Sequence, residues 1–316
     1  MPRMARSRST SPASLTGLAG LQGRLGLWPV RVLWLTLPLV AGNGLSRPLR
    51  ELESPGQVIA EVGLWAAWFA GLVAALVPSP VSLTAIRTLA PGAGALVVVA
   101  GALAGDWSPP VVAATGFAAL VTIACHLPVV GDRMINGSAY GSERRMALRP
   151  PGFALLGPVQ LAWGTVFAGV VSGPGLLAGG HYLLGIAATA AGAAVAWLGF
   201  RVLHQLSRRW IVFVPAGFVI HDHVSLVESV LLRRSTIAAL GPAPAPLPAG
   251  AVDLTAGARG LALMVQLSEP VTFGLRQQRQ AVETRTDQLV LTPTLPGAVL
   301  VEARTRAIRI GSPASG

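Results

Sequence analysis

The chain has 316 residues, of which 52% are hydrophobic and only 12% charged, about half the charge of an ordinary soluble domain. Its apolar runs are too long for one oversized aqueous core, so hydrocarbon must solvate much of it. All 24 basic residues are arginine, set against 13 acids for a net charge of +11. They are dispersed rather than clustered among stacking aromatics, which argues against a nucleic-acid partner and for topology setting and affinity for the lipid bilayer and its anionic lipid head groups.

Residues 1–26 hold Arg3, Arg6, Arg8 and Arg24 among Ser, Pro, Gly and Thr, with no acid. They read as a disordered basic tail, and the apolar run after them as an uncleaved first helix, since no clean A-x-A cleavage site follows.

From residue 27 the intervals between charges count the membrane helices, because a span needs about 20 mostly apolar residues. Leu27 to Arg47 is the first span if Arg31 snorkels. Between Glu61 and Arg87 lies GLWAAWFAGLVAALV, the second. Arg87 to Asp106 encloses a third with Pro91 near its start, and Asp106 to Asp132 a fourth opening at Pro109-Pro110. The 51 residues between Arg149 and Arg201 contain no Asp, Glu, Lys or Arg. Ser172-Gly173-Pro174-Gly175 with Gly179-Gly180 is expected to break them into a fifth and a sixth span. The fold class expected is thus an α-helical membrane bundle of about six transmembrane helices over 27–203.

Placing the N-terminus inside puts the tail arginines, Arg87 in the second loop, Arg133, Arg144, Arg145 and Arg149 in the fourth, and Arg201, Arg208 and Arg209 on the cytoplasmic side. Only Arg47 and Arg50, beside Glu51 and Glu53, stay outside. The positive-inside bias and the even span count agree on a multi-pass cell-membrane protein with both termini cytoplasmic. Small-xxx-small pairs such as Gly71 and Ala75, Gly101 and Gly105, and Gly192 and Ala196 predict close helix packing.

The character changes at residue 204. Trp210–Val214, the turn Pro215-Ala216-Gly217 and Phe218–His221 read as a hairpin. Ser229–Leu232, Ser235–Leu240, Leu261–Leu267, Val271–Leu275 and Gln288–Leu291 are further short strand candidates, interrupted by the Pro-rich loop GPAPAPLPAG over 241–250. Pro296–Ile308 reads as a closing helix, with Pro296 in its first turn and Arg304, Arg306 and Arg309 towards its end. Residues 204–316 are therefore expected to form a small soluble β-rich α+β cytoplasmic domain ending in a helix, with a mild positive balance.

Three stretches carry a resemblance. GSAYGSERRMALRPPG in the fourth loop, together with RRWIVFVPAGFVIHD and LTPTLPGAVLVEARTRAI further on, resembles a group of actinobacterial polytopic membrane proteins, from about Arg133 onward. That group implies no particular activity. Strands closed by a C-terminal helix are also similar in order to bacterial pleckstrin-homology-like domains that follow membrane helices, which implies a binding or assembly module.

Among individual residues, Arg144, Arg145 and Arg149 beside Tyr140 and Glu143 are the candidate head-group or partner contact, since guanidinium forks bind phosphate in a bidentate way; positive-inside bias alone also accounts for them. His221 and His223 share a strand face, as two metal ligands would, but no third ligand lies near in sequence, so no metal is expected. Cys125 is a lone thiol in an apolar run, and His126 beside it points elsewhere on a helix. Glu61 and His181 are read as sitting at membrane interfaces, although an ionisable group inside a membrane is a functional candidate. Asn136-Gly137-Ser138 matches a glycosylation sequon but falls in a loop assigned to the cytoplasm.

No HExxH, P-loop, GxSxG or dinucleotide fingerprint occurs, so neither an enzyme nor a cofactor is expected. The reading that follows is a non-catalytic scaffold or binding protein that presents its β-rich domain to a protein partner through 204–316. The alternative is a small transporter or lipid-handling protein, which requires a polar cavity between the helices.

Overall fold

The computed structural model describes residues 26–277 and 280–311; the basic tail assigned to 1–26 lies, except for Gly26, outside them. The membrane part comprises α1 (Trp28–Arg50), α2 (Ser54–Leu76), α3 (Pro80–Ala104), α4 (Pro109–His126), the short α5 (Pro128–Asn136), α6 (Pro158–Ala178) and α7 (Tyr182–Leu206). Each of α1 to α6 opens with a proline in its first turn, where the missing N–H would have had no intrahelical acceptor. Five helices, α2, α3, α4, α6 and α7, are long and apolar enough to cross a membrane. Helix α1 equals α2 at 23 residues, about 35 Å, but it carries Arg31, Asn43, Arg47 and Arg50 as well as Pro38 and Pro48. It lacks the apolarity of the other five, yet it buries a stripe of Val30, Trp34, Leu37, Ala41 and Leu45 in the bundle core.

The start of α1 is tied to the end of α2. Arg31 Nε donates to the Ala75 carbonyl at 3.1 Å, and its guanidinium lies over the Trp28 ring. Rather than merely snorkelling, Arg31 satisfies the last turn of α2, where carbonyls lack intrahelical donors and the helix dipole favours a cation. Further along, two tryptophans exchange hydrogen bonds. Trp34 Nε1 donates to the Trp68 carbonyl (2.9 Å) and Trp68 Nε1 to the Trp34 carbonyl (3.0 Å). The Trp34 carbonyl would normally accept from residue 38, but Pro38 has no N–H; the indole of Trp68 fills that place. Gly71 makes the approach feasible, because any Cβ there would overlap the Trp34 ring.

Two expectations about the spans need correcting. Arg87 is not in a loop: Ser79, whose side chain accepts from the Ser82 N–H, and Pro80 start α3 seven residues earlier. Its Nε donates to the Cys125 carbonyl (3.3 Å) in the last turn of α4, and Gly131 leaves room for its guanidinium. Ser172-Gly173-Pro174-Gly175 is not a break either; α6 runs through it and stops at Gly179-Gly180. Here the small residues serve close packing. Gly173 sits against Thr189, and Gly169 and Gly192 meet backbone to backbone, zipping α6 and α7 into one hairpin.

The β-rich unit consists of two four-stranded sheets. β1 (Arg144–Ala147), β2 (Arg209–Val214), β3 (Gly217–Asp222) and β4 (Val230–Arg233) pair in that order, all antiparallel. β5 (Ile237–Pro242), β6 (Val252–Asp253), β7 (Leu263–Gln277) and β8 (Gln280–Leu291) form the second sheet in the order β5-β7-β8-β6, with β6 parallel to β8. The hairpin expected at 210–221 is β2–β3. The two strand candidates at 261–275 are one strand, β7, which absorbs Pro270 in an irregularity between Gln266 and Val271. Helix α8 (Pro296–Thr305) closes the unit.

The unit also reaches back before residue 204. β1 comes from the loop between α5 and α6, and it stitches three bodies together. Ala147 packs into the bundle core, while Met146 and Leu148 pack into the core between the sheets. Arg149 N–H donates to the Thr292 carbonyl, and Thr294 N–H to the Ala147 carbonyl. A fragment beginning at residue 204 therefore loses an edge strand and part of its core. It is expected to show no cooperative melting by circular dichroism; a version with residues 142–157 fused on through a flexible linker is expected to melt cooperatively, and equal behaviour of the two would contradict the role of β1.

Candidate functional site

Contacts at both ends of the bundle hold the α6–α7 hairpin against α1–α4, with a gap between. At the end carrying the sheets, Thr84 of α3 bonds His204 Nδ1 (3.0 Å) and Ser207 (2.9 Å), and Trp163 Nε1 of α6 donates to the Thr88 carbonyl (3.0 Å). At the far end Gly56 of α2 lies against the Ala178 carbonyl of α6, again with no space for a Cβ. Between these points lies a cavity of about 490 Å³, within the ordinary range for a site that takes a drug-sized molecule.

Helix α1 contributes Trp34, Leu37, Pro38, Ala41 and Leu45 to its wall; α2 contributes Glu61, Leu64, Trp65 and Trp68; α3 contributes Thr88, Leu89, Gly92, Ala93 and Leu96; and α6 contributes Trp163, Val166, Phe167 and Val170. The aromatic side chains are mutually braced. Trp65 and Trp68 meet edge to face at 5.4 Å, and Trp163 stacks on Phe167 at 5.4 Å. Trp65 is 57% and Val170 53% exposed although both line the cavity, so its wall includes side chains that also reach the surface of the bundle.

Glu61 is not at a helix start. Helix α2 begins at Ser54, so this carboxylate sits about 10 Å along the axis, half-buried in the wall and accepting from Gln57 Nε2 at 2.8 Å. His181, in the turn before α7, is exposed at the far end. It is separated by the length of the bundle from Glu143, Arg144 and Arg145, so these groups do not share a catalytic centre.

The arginines read as a head-group contact do not converge. Arg144 and Arg145 project from opposite faces of β1. Arg144 pairs with buried Asp132 at 2.7 Å, and burial pushes that carboxyl upward in spite of the pair. Arg145 contacts Ser138 and Glu143 and lies over the Trp210 ring. Arg149 donates to the Pro293 carbonyl and packs against Gly260.

His221 and His223 do come together, with ring centroids 4.3 Å apart, and Trp210 stacks on His221. Burial, then the neighbouring His223, Arg208 and Arg145, pushes His221 down to about 4. Arg208 donates to His223 Nε2 at 3.0 Å and so occupies the lone pair a metal would need. Cys125 is buried in the bundle core, while His126 is bonded to the Thr122 carbonyl of its own helix. Asn136 closes α5 and accepts from the Arg145 N–H.

No family model matches the chain, and no curated protein or solved structure matches it. Chemistry alone therefore ranks the sites: Arg144, Arg145, Arg149, His221 and His223 are engaged with protein groups, whereas the cleft is roomy and aromatic-walled, and its lining is apolar apart from Glu61 and Thr88 rather than the polar cavity expected of a transporter. Sequence reading missed the cleft because its walls are written in the same Leu, Trp, Ala and Gly as the core. The readable signal was Glu61, Trp65 and Trp68, which share one face of α2 at i, i+4 and i+7.

Proposed function

We propose that this chain is a small transporter or lipid-handling protein of the cell membrane that takes a hydrophobic or amphiphilic molecule into the cleft between α1–α3 and the α6–α7 hairpin. The observation that carries the reading is the aromatic-walled cavity of about 490 Å³, whose lining residues Trp65 and Val170 also reach the bundle surface. In this reading α1 is a sixth span and both termini are cytoplasmic. Support comes from the end of the bundle that carries Arg31, Arg133, Arg144, Arg145, Arg149, Arg201 and Arg208, whereas the opposite end holds Arg47 and Arg50 amid Glu51, Glu53 and Asp106.

The scaffold reading attaches to the β-rich unit. The outer face of its first sheet carries half-buried Val212 and Val219 and exposed Leu231 among Arg145, His221 and Arg233, a composition suited to a protein partner or an anionic membrane surface. The similarity to pleckstrin-homology-like domains rests on strands closed by a terminal helix.

Gly92 tests the cleft, since a Cβ there meets only Phe167, at 3.7 Å across the cavity. Protein purified in mild detergent is expected to carry a bound hydrophobic molecule detectable by mass spectrometry. Gly92→Phe is expected to lose it at least tenfold while eluting and melting like the parent. Equal retention by the two proteins, or no bound molecule above a control membrane protein, would reject the cleft as a binding site.

A further inference from the structure

Among the residues lining the cleft, Glu61 is the sole ionisable one, and among the described residues no basic side chain lies within ion-pair distance of it. One of its oxygens accepts from Gln57, and among the described residues no hydrogen bond reaches the other. A carboxylate some 10 Å along a helix long and apolar enough to cross a membrane is a functional candidate by its position. One and two turns further, Trp65 and Trp68 present ring systems to the same cavity, and indole faces attract cations electrostatically. Beyond them the wall is apolar as far as Trp163 and Phe167. Carboxylate, aromatic rings and apolar slot follow one another along one cavity wall, and they match a molecule with one positive charge and a compact hydrophobic body. A cavity of about 490 Å³ suits a drug-sized occupant.

We infer that the cleft selects compact hydrophobic cations, held by the Glu61 carboxylate with Trp65 and Trp68 around the charge. This deepens the proposed function and rests on it. An anion of the same shape is repelled, and a neutral one keeps only the apolar contacts.

The test uses the full chain in nanodiscs of zwitterionic lipid, titrated with three probes of related shape: tetraphenylphosphonium, tetraphenylborate and triphenylmethane. Binding is followed by tryptophan quenching, with empty nanodiscs subtracted. The expected result is tenfold or more tighter binding of the phosphonium than of triphenylmethane, with the borate weakest. Glu61→Gln removes that preference and leaves triphenylmethane unchanged; Glu61→Asp retains most of it, which separates charge from folding. Gly92→Phe loses all of the binding, placing it in the cleft. Equal affinity for phosphonium and triphenylmethane, or an unchanged preference in Glu61→Gln, overturns the charge selection and leaves the cleft reading standing. Failure of all three probes to bind the parent protein overturns both.

Discussion

Gly71→Ala is expected to destabilise the membrane bundle by about 2–4 kcal/mol, combining about 1–3 kcal/mol for overpacking with roughly 0.6 kcal/mol for each of two interhelical hydrogen bonds in a membrane setting. The added methyl overlaps the Trp34 ring, and Trp34 is almost wholly buried, so the indole can shift only towards the cleft that it lines. If it moves, Trp34 Nε1 loses the Trp68 carbonyl, and the donor that stands in for the missing Pro38 N–H is pulled away from the Trp34 carbonyl. Gly63→Ala on the same helix is the control, since a Cβ there meets nothing within 4 Å and alanine favours helix. Denaturation of the two variants in mixed micelles, followed by tryptophan emission, gives the comparison. A Gly71→Ala protein as stable as Gly63→Ala would show that the paired indoles contribute nothing to holding α1 on α2.

A loss of about 3–5 kcal/mol is expected for Arg209→Met, the magnitude typical of removing one partner from a buried pair. Arg209 is 1% exposed and binds Asp222 through two bonds, Nε to Oδ1 at 2.8 Å and Nη2 to Oδ2 at 2.7 Å. It also donates to the carbonyls of Arg149 and Leu254. Methionine fills much of the volume but leaves a buried carboxylate without its cation and two carbonyls without donors. Asp222 would still accept from Val224 N–H, which does not neutralise it. Hydrogen exchange over 209–222 in the full chain should rise sharply in Arg209→Met. The double variant Arg209→Met, Asp222→Asn should recover part of the loss, because the two effects are not additive in contacting groups. Native-like protection in the single variant would mean that the pair is dispensable.

Charge-free intervals located most helices because hydrocarbon excludes charge, and they failed where an arginine had protein to bind. Arg87 could enter α3 because the end of α4 offers it the Cys125 carbonyl and Gly131 offers it space; neither is visible from its own neighbours in sequence. The glycine-proline run at 172–175 has the composition of a turn, and only the presence of Thr189 across the hairpin reveals it as a packing surface. β1 was hidden for a similar reason. Arg144-Arg145-Met146-Ala147 is too short and too charged to read as a strand, and it becomes one by pairing with 210–213, more than sixty residues later. The β2–β3 hairpin, by contrast, was legible because its partners and its turn are contiguous. Glu61 was misplaced because the helix was counted from the charge, whereas Ser54-Pro55 begins it.

The tie between helices α6–α7 and the sheets has a mechanical consequence. Helix α7 passes into β2 through Ser207 and Arg208 alone, and α6 follows β1 after ten residues that include the short helical turn Gly152–Leu156. Both legs of the hairpin are thus joined to the first sheet, while the far end of α6 packs on α2 with Gly56 against Ala178. On the other side, the paired indoles and Arg31 clamp α1 to α2. The hairpin and the first sheet therefore share their covalent roots, and a load on one is borne by the other through Ser207, Arg208 and the Thr84–His204 contact.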